Sequence, residues 1–298
     1  MKTDNKTLRN YLLWAFGLAW PLQGLASYFA LKGQTQVFTT LTIAVMFTPL
    51  AAVFLAKIPL RDIGWGLKLR GKWKWFFAVW FLPIVLTALG AALYFVLFPA
   101  SFVPGENAVR AQYGEEMLAQ LEAQGLTPSL LIALTFAGAA TYAPFVNALP
   151  SLGEEVGWRG ALYPMLKERF GKAKGRLLGG AIWGAWHWPL MIFAGYEYGL
   201  RYWGAPVLGM ALFLLFTISL GALLDLACEK TGSIWIPSLG HGAINAAANL
   251  PAIFLNPDFA DRLTLGPLPI GVISGLPLIL LASLVFFKGG REEEIETE

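Results

Sequence analysis

The 298-residue sequence has only two histidines and one cysteine, and charged residues make up only 14% of it. The single cysteine, Cys228, excludes an intrachain disulfide and gives no support for a thiolate metal site. Soluble domains carry about 25% charged residues, whereas 56% of this sequence is hydrophobic. Several apolar runs reach the ~20 residues that a helix needs to cross a bilayer. Because lipid admits only helices or closed barrels, we expect an all-α, polytopic transmembrane helical bundle that forms one membrane domain over residues 1–298.

Apolar segments and basic residues together predict how this bundle lies in the membrane. If the N-terminus is cytoplasmic, 17 of the 22 Lys and Arg residues fall in inner segments, four in outer segments and Arg159 within a span. This asymmetry predicts that both termini are cytoplasmic. About eight spans are expected, at residues 11–31, 37–56, 75–98, 130–166, 177–194, 206–226, 233–250 and 268–287.

Two segments depart from simple spans. Residues 130–166 are too long for one straight crossing, and Pro144, Pro150 and Gly153 are the predicted places for a break or a re-entrant turn. Residues 288–298 form an acidic tail that we expect to be disordered.

Both histidines, and the pair Glu154 and Glu155, lie inside apolar stretches. Ionisable groups in a bilayer are costly and usually face a protein interior or a water-filled cavity. A rise of about 1.5 Å per residue places Glu154, His187 and His241 roughly 14–18 Å deep, on three separate helices. The matched depth predicts that these groups share one buried polar site.

Helical spacing refines this prediction. Glu155 and Arg159 are separated by four residues, so they share a helix face and can pair. Glu154 is rotated about 100° away and is expected to face the cavity. His241 and Asn245 also share one face, as do Trp183 and His187.

The motifs EExxxR, aromatic-xxx-His and HxxxN, in this order and in membrane spans, resemble the CAAX-prenyl-endopeptidase and bacteriocin-processing family of intramembrane proteases, whose bacterial members are often called Abi-type proteins. The resemblance covers about residues 130–250, which it identifies as a catalytic core. It implies a peptide-bond hydrolase with a cytoplasm-facing cavity in a prokaryotic plasma membrane. Its partners would be membrane lipids and a peptide or protein substrate, either a lipidated (prenylated) one or an exported peptide, and no nucleic-acid partner is expected.

Carried over by motif position, the resemblance makes Glu154 the catalytic glutamate and His187 a residue that binds and activates water. His241 and Asn245 would stabilise the oxyanion or complete the water site. Glu155, Arg159 and Trp183 would support the structure of the site, and Trp183 replaces the phenylalanine more often found at its position.

Three alternatives stay open at the level of sequence. Glu154, His187 and His241 also suit a zinc ion with a free position for water, although a mechanism without a cofactor is favoured. A proton-coupled transporter would place similar residues in mid-membrane, but it often shows repeated halves, and no repeat is found. A non-catalytic membrane immunity or scaffold protein would not require Glu154 and both histidines together.

Overall fold

The computed structural model describes residues 4–67 and 69–297. Within these residues the chain is helical, and a single isolated bridge, between Phe102 and Leu255, is its only β-type pairing. The helices are α1 (Asn5–Leu31), α2 (Thr35–Val45), α3 (Thr48–Leu55), α4 (Trp73–Leu97), α5 (Glu106–Ala123), α6 (Pro128–Ala140), α7 (Ala143–Gly157), α8 (Tyr163–Phe170), α9 (Lys172–Trp186), α10 (Trp188–Ala194), α11 (Val207–Thr231), α12 (Trp235–Ala247) and α13 (Leu276–Thr297).

The predicted polytopic helical bundle is confirmed. Four helical stretches are long and apolar enough to cross a membrane, namely Thr35–Leu55, Trp73–Leu97, Lys172–Ala194 and Val207–Thr231. A fifth arises if Tyr113–Ala123 and Pro128–Ala140, which meet at 90°, count as one bent span. The eight predicted spans and the cytoplasmic termini therefore stay predictions.

The overlong segment is broken, but at only one of the places that the sequence suggested. α6 ends at Ala140 and α7 begins at Ala143, so the break precedes Pro144, which occupies the first turn of α7. Proline suits a first helical turn because the backbone N–H that it lacks would have no intrahelical partner there. α7 continues through Pro150 and Gly153. A Cβ at residue 153 would lie 2.8 Å from the carbonyl oxygen of Met46, so this glycine serves close packing rather than a break.

α13 extends to Thr297, and Glu298 lies outside the described residues. The disordered acidic tail expected over residues 288–298 stays a prediction.

Small residues bring the helices that carry the site close together. A Cβ at Gly242 on α12 would lie 2.3 Å from the carbonyl oxygen of Pro144 on α7. At Gly180 on α9 it would lie 2.4 Å from Cα of Ile218 on α11. Backbones in near contact are typical where small residues line a helix interface in membrane proteins. These approaches fix α7, α9, α11 and α12 around one polar centre.

Candidate active site

Breaks in helix regularity position the polar side chains. Glu154 and Glu155 lie in the last turn of α7, and a π-helical turn at Trp158–Leu162 carries Arg159. π-Helical turns are rare and are often found at functional sites. His187 lies at the junction of α9 and α10, followed by Pro189, while His241 and Asn245 lie on α12.

A cavity of about 440 Å³ joins these elements. The four residues predicted to be catalytic, Glu154, His187, His241 and Asn245, all line it. Glu154, His187 and His241 are buried, whereas Asn245 is exposed. The predicted convergence of three separate helices on one site is thus present in the structure, and the roles of the four residues remain predictions.

Neutral donors hold the carboxylate of Glu154. Its Oε2 accepts hydrogen bonds from Nε1 of Trp183 at 2.8 Å and from Nε1 of Trp158 at 3.1 Å. Among the described residues, no Lys or Arg side chain forms an ion pair with Glu154. The carboxylate is therefore fixed in orientation while its charge is left without a cationic partner.

Glu155 does not line the cavity and links α7 to the following π-helical turn and to α12. Its Oε1 lies 2.8 Å from Nη1 of Arg159, which confirms the predicted pair, and also 2.8 Å from Nδ1 of His241. The guanidinium of Arg159 lies between the rings of Trp183 and Tyr163, at 4.4 Å and 4.7 Å from their centroids. Such cation–π contacts strengthen when they are desolvated.

Trp183 thus contributes more than the aromatic packing expected of it. Its N–H binds Glu154, its face covers Arg159, and its ring centroid lies 5.2 Å from that of His241. A phenylalanine at this position could provide the two ring contacts but not the hydrogen bond.

The hydrogen-bond partners of the two histidines determine which ring nitrogen carries a proton. Nδ1 of His187 lies 2.9 Å from the carbonyl oxygen of Trp183, which can only accept. Nδ1 of His241 faces a carboxylate oxygen of Glu155 that is already paired with Arg159. Both Nδ1 atoms are therefore donors, and in a neutral ring Nε2 is left as the acceptor.

Sequence reasoning missed several residues that complete the site. Trp158 lies four residues after Glu154, and this spacing alone predicts that the two side chains share a helix face. Asn147, Tyr196 and Glu197 line the cavity as well. The last two belong to a connecting segment whose placement depends on tertiary packing, so no local pattern indicated them.

The position of the cavity conflicts with one of the predictions on orientation. Its lining residues lie on the C-terminal half of α12 and the N-terminal half of α11, together with Tyr196 and Glu197. The basic residues of 167–176 lie at the opposite end of these antiparallel helices. If that basic end is cytoplasmic, the cavity lies toward the other side of the membrane. The predicted cytoplasmic termini and the predicted cytoplasm-facing cavity therefore do not both agree with this arrangement.

The zinc alternative stays open. Among the described residues, no group of three His, Cys, Asp or Glu side chains is arranged to hold a metal ion. The Nδ1 hydrogen bonds of His187 and His241 leave both Nε2 atoms free.

An all-α membrane bundle whose cavity is lined by a glutamate, two histidines and an asparagine fits the class of intramembrane hydrolases that the motifs resemble. Residues 136–247 match the sequence model of the family described as type II CAAX prenyl endopeptidase Rce1-like. The resemblance to the CAAX protease family is thereby confirmed over this region.

One curated relative is CAAX prenyl protease 2 of the archaeon Methanococcus maripaludis, which is 31% identical over 110 residues. The alignment covers 37% of this chain and 40% of the relative. The chain thus spans less than half the length of the curated relative it matches.

Proposed function

We propose that this chain is an intramembrane endopeptidase of the CAAX protease type that hydrolyses a peptide bond with a water molecule activated by Glu154. The observation that carries the proposal is the unpaired, oriented carboxylate of Glu154 in a cavity shared with two histidines. The family match supports the reaction class. A prokaryotic plasma membrane is the proposed location, and the archaeal relative is consistent with it.

In this mechanism Glu154 acts as the general base. It accepts a proton from water as the water oxygen attacks the scissile carbonyl carbon, and it returns that proton to the leaving amine. Nε2 of His187, as an acceptor, holds the second proton of the water and orients its lone pair. A positioned general base typically contributes about 10²–10⁴ in rate.

The tetrahedral oxyanion requires hydrogen-bond donors. Asn245 supplies an amide N–H, which is a donor at any pH. His241 supplies a second donor only when its Nε2 is also protonated, because its Nδ1–H already donates to Glu155. Loss of a single oxyanion donor typically costs about 10²–10³ in rate.

The test is cleavage by the purified, reconstituted wild type. A quenched fluorescent peptide with a prenylated cysteine near its C-terminus is the first substrate, because the relative is named a CAAX prenyl protease. We expect internal cleavage, verified by mass spectrometry, that persists after chelator treatment with no stoichiometric metal in the preparation. Cleavage abolished by chelator and restored by zinc would replace this mechanism with a metal-dependent one.

The side from which substrate enters can be measured in the same vesicles. Arg201 is exposed in the segment between α10 and α11, at the end of the bundle where the cavity lies. The variant Arg201→Cys is made in a Cys228→Ser background, so that it carries a single cysteine. Labelling of this cysteine by a membrane-impermeant maleimide shows on which side of the membrane this end of the bundle lies. Labelling from the side that carries the N-terminus would support the cytoplasm-facing cavity and contradict the orientation inferred from the basic residues.

A further inference from the structure

A second carboxylate lines the cavity, outside the motifs that define the site. Glu197 lies in the segment between α10 and α11 and faces the same cavity as Glu154. Among the described residues that line this cavity, Glu154 and Glu197 carry acidic side chains, and none is Lys or Arg. The wall of the cavity is therefore acidic, with two imidazoles as its only basic groups.

The backbone holds Glu197 in a conformation that residues with a Cβ rarely adopt. Its φ is 71°, between Gly195 and Gly199, which also have positive φ. A left-handed conformation is unfavourable for a residue with a Cβ, because the Cβ crowds the following carbonyl oxygen. Hydrogen bonds fix the segment, from the amide of Tyr196 to the carbonyl of Leu190 and from the hydroxyl of Tyr198 to the carbonyl of Ile270.

The segment also brings the residue before Glu197 against one of the two histidines of the site. The ring of its neighbour Tyr196 stacks on His187, with 6.0 Å between centroids and 7° between planes. Among the described residues, no Lys, Arg or His forms an ion pair with Glu197. Burial raises the pKa of Glu197, and a hydrogen bond with Tyr196 opposes that rise. A half-buried carboxylate that has no cationic partner in the protein is stabilised when a ligand places a cation beside it.

We propose that Glu197 is a specificity-determining residue that binds the basic side chain of a lysine or arginine close to the scissile bond of the substrate. This inference rests on the proposed endopeptidase function and goes beyond it by naming the chemistry of the substrate. The positioned carboxylate, the acidic cavity wall and the contact of Tyr196 with His187 carry it. A single charge pair worth about 1.4 kcal/mol corresponds to a tenfold preference.

The test compares peptides that differ only in charge. Each position flanking the scissile bond carries either lysine or norleucine, and every peptide has an acetylated N-terminus, so that no terminal amine competes. For wild type we expect kcat/KM to favour lysine about tenfold at one position. In Glu197→Gln the ratio should fall to about one, and Glu197→Lys should favour glutamate over glutamine at that position. The control Asp258→Asn, an exposed carboxylate outside the cavity, should keep the wild-type ratio.

The pH dependence of the same ratio separates a charge role from a structural one. Protonation of Glu197 removes the attraction, so the preference for lysine should be present above its raised pKa and disappear as the pH falls through it. Glu154, His187, Tyr196 and His241 line the cavity as well, so the same pH series on Glu197→Gln serves as the control that isolates the contribution of Glu197. A ratio that is equal in wild type and Glu197→Gln, or independent of pH, would overturn the proposal.

A binding measurement distinguishes failure of this inference from failure of the proposed function. In the Glu154→Gln background, fluorescence anisotropy gives Kd for the lysine and norleucine peptides with and without Glu197→Gln. A preference for lysine that requires Glu197 would support the inference even if the wild type cleaves neither peptide. Equal affinities, or no binding of either peptide, would overturn it independently of catalysis.

Discussion

Two charge clusters, one on α8, α9 and α11 and the other on α7, on α12 and in the π-helical turn after α7, differ in how completely their charges are paired. The ion-pair cluster consists of Lys167, Arg176, Asp225 and Glu229. Lys167 binds both oxygens of Asp225 at 2.8 and 2.9 Å, and Nε of Arg176 binds Oδ2 at 2.8 Å. Arg176 also reaches Glu229 at 2.8 Å. Every carboxylate in this cluster faces a cation, and it ties α8, α9 and α11 together.

The site cluster of Glu154, Glu155, Arg159 and His241 is less complete. Oε2 of Glu155 and both Nε and Nη2 of Arg159 have no hydrogen-bond partner among the described residues. Glu154 receives only neutral indole donors and borders a cavity. Incomplete satisfaction of buried polar groups costs stability, and such sites are typical of function. We infer from this contrast that a fully paired buried charge stabilises the fold, whereas a charge left unpaired beside a cavity is available for catalysis.

The largest expected effect on stability lies in the ion-pair cluster. Asp225→Ala removes the buried partner of Lys167 and Arg176 and leaves them only the partly exposed Glu229. Breaking a buried ion pair typically costs about 3–5 kcal/mol. We expect a marked fall in Tm in detergent, while the folded fraction keeps the wild-type kcat because the cluster does not line the cavity. An unchanged Tm together with lost cleavage would invert the roles assigned to the two clusters.

Trp183→Phe should produce an intermediate effect, confined to catalysis. The substitution removes the N–H donor to Glu154 and keeps an aromatic ring over Arg159. A hydrogen bond to a charged group is worth about 1.5–3 kcal/mol, so kcat should fall by at least tenfold with little change in KM. Trp80→Phe is the matched control, because its indole N–H binds the carbonyl of Ala140, away from the cavity. Equal losses of kcat in both variants would mean that the donor to Glu154 has no special role.

Glu229→Gln should give the smallest effect and sharpen the comparison within the ion-pair cluster. The side chain of Glu229 is 30% exposed, against 2% for Asp225, so solvent screens its pairs with Arg176 and Lys167. Partly exposed ion pairs contribute about 0–1 kcal/mol. Thermal unfolding should show a much smaller fall in Tm than in Asp225→Ala. A comparable fall would show that exposure does not govern the strength of these pairs.

Sequence reasoning predicted those parts of the site that depend on local geometry or on motifs. The pairing of Glu155 with Arg159 follows from a spacing of four residues, and the convergence of Glu154, His187 and His241 follows from equal depth. The bond between His241 and Glu155 joins residues 86 positions apart, so it depends on how α12 packs against α7. The break before Pro144, rather than at Pro150, depends equally on packing.

Local sequence patterns also could not predict at which end of the helical bundle the cavity lies. This position is set by residues of connecting segments, such as Tyr196 and Glu197, which have no periodicity. Glutamate has no local preference for the left-handed backbone conformation that Glu197 adopts. The conformation persists because the surrounding hydrogen bonds hold the segment.

The central claim is that the charge of Glu154 serves chemistry and not the fold. Its most direct test is to measure peptide cleavage and thermal unfolding on the same preparations of wild type and Glu154→Gln. We expect cleavage to fall by about 10²–10⁴ while Tm stays within a few degrees, because the amide oxygen of glutamine can still accept hydrogen bonds from Trp158 and Trp183. Cleavage within a few-fold of wild type, or a loss that only parallels a collapse of Tm, would contradict it.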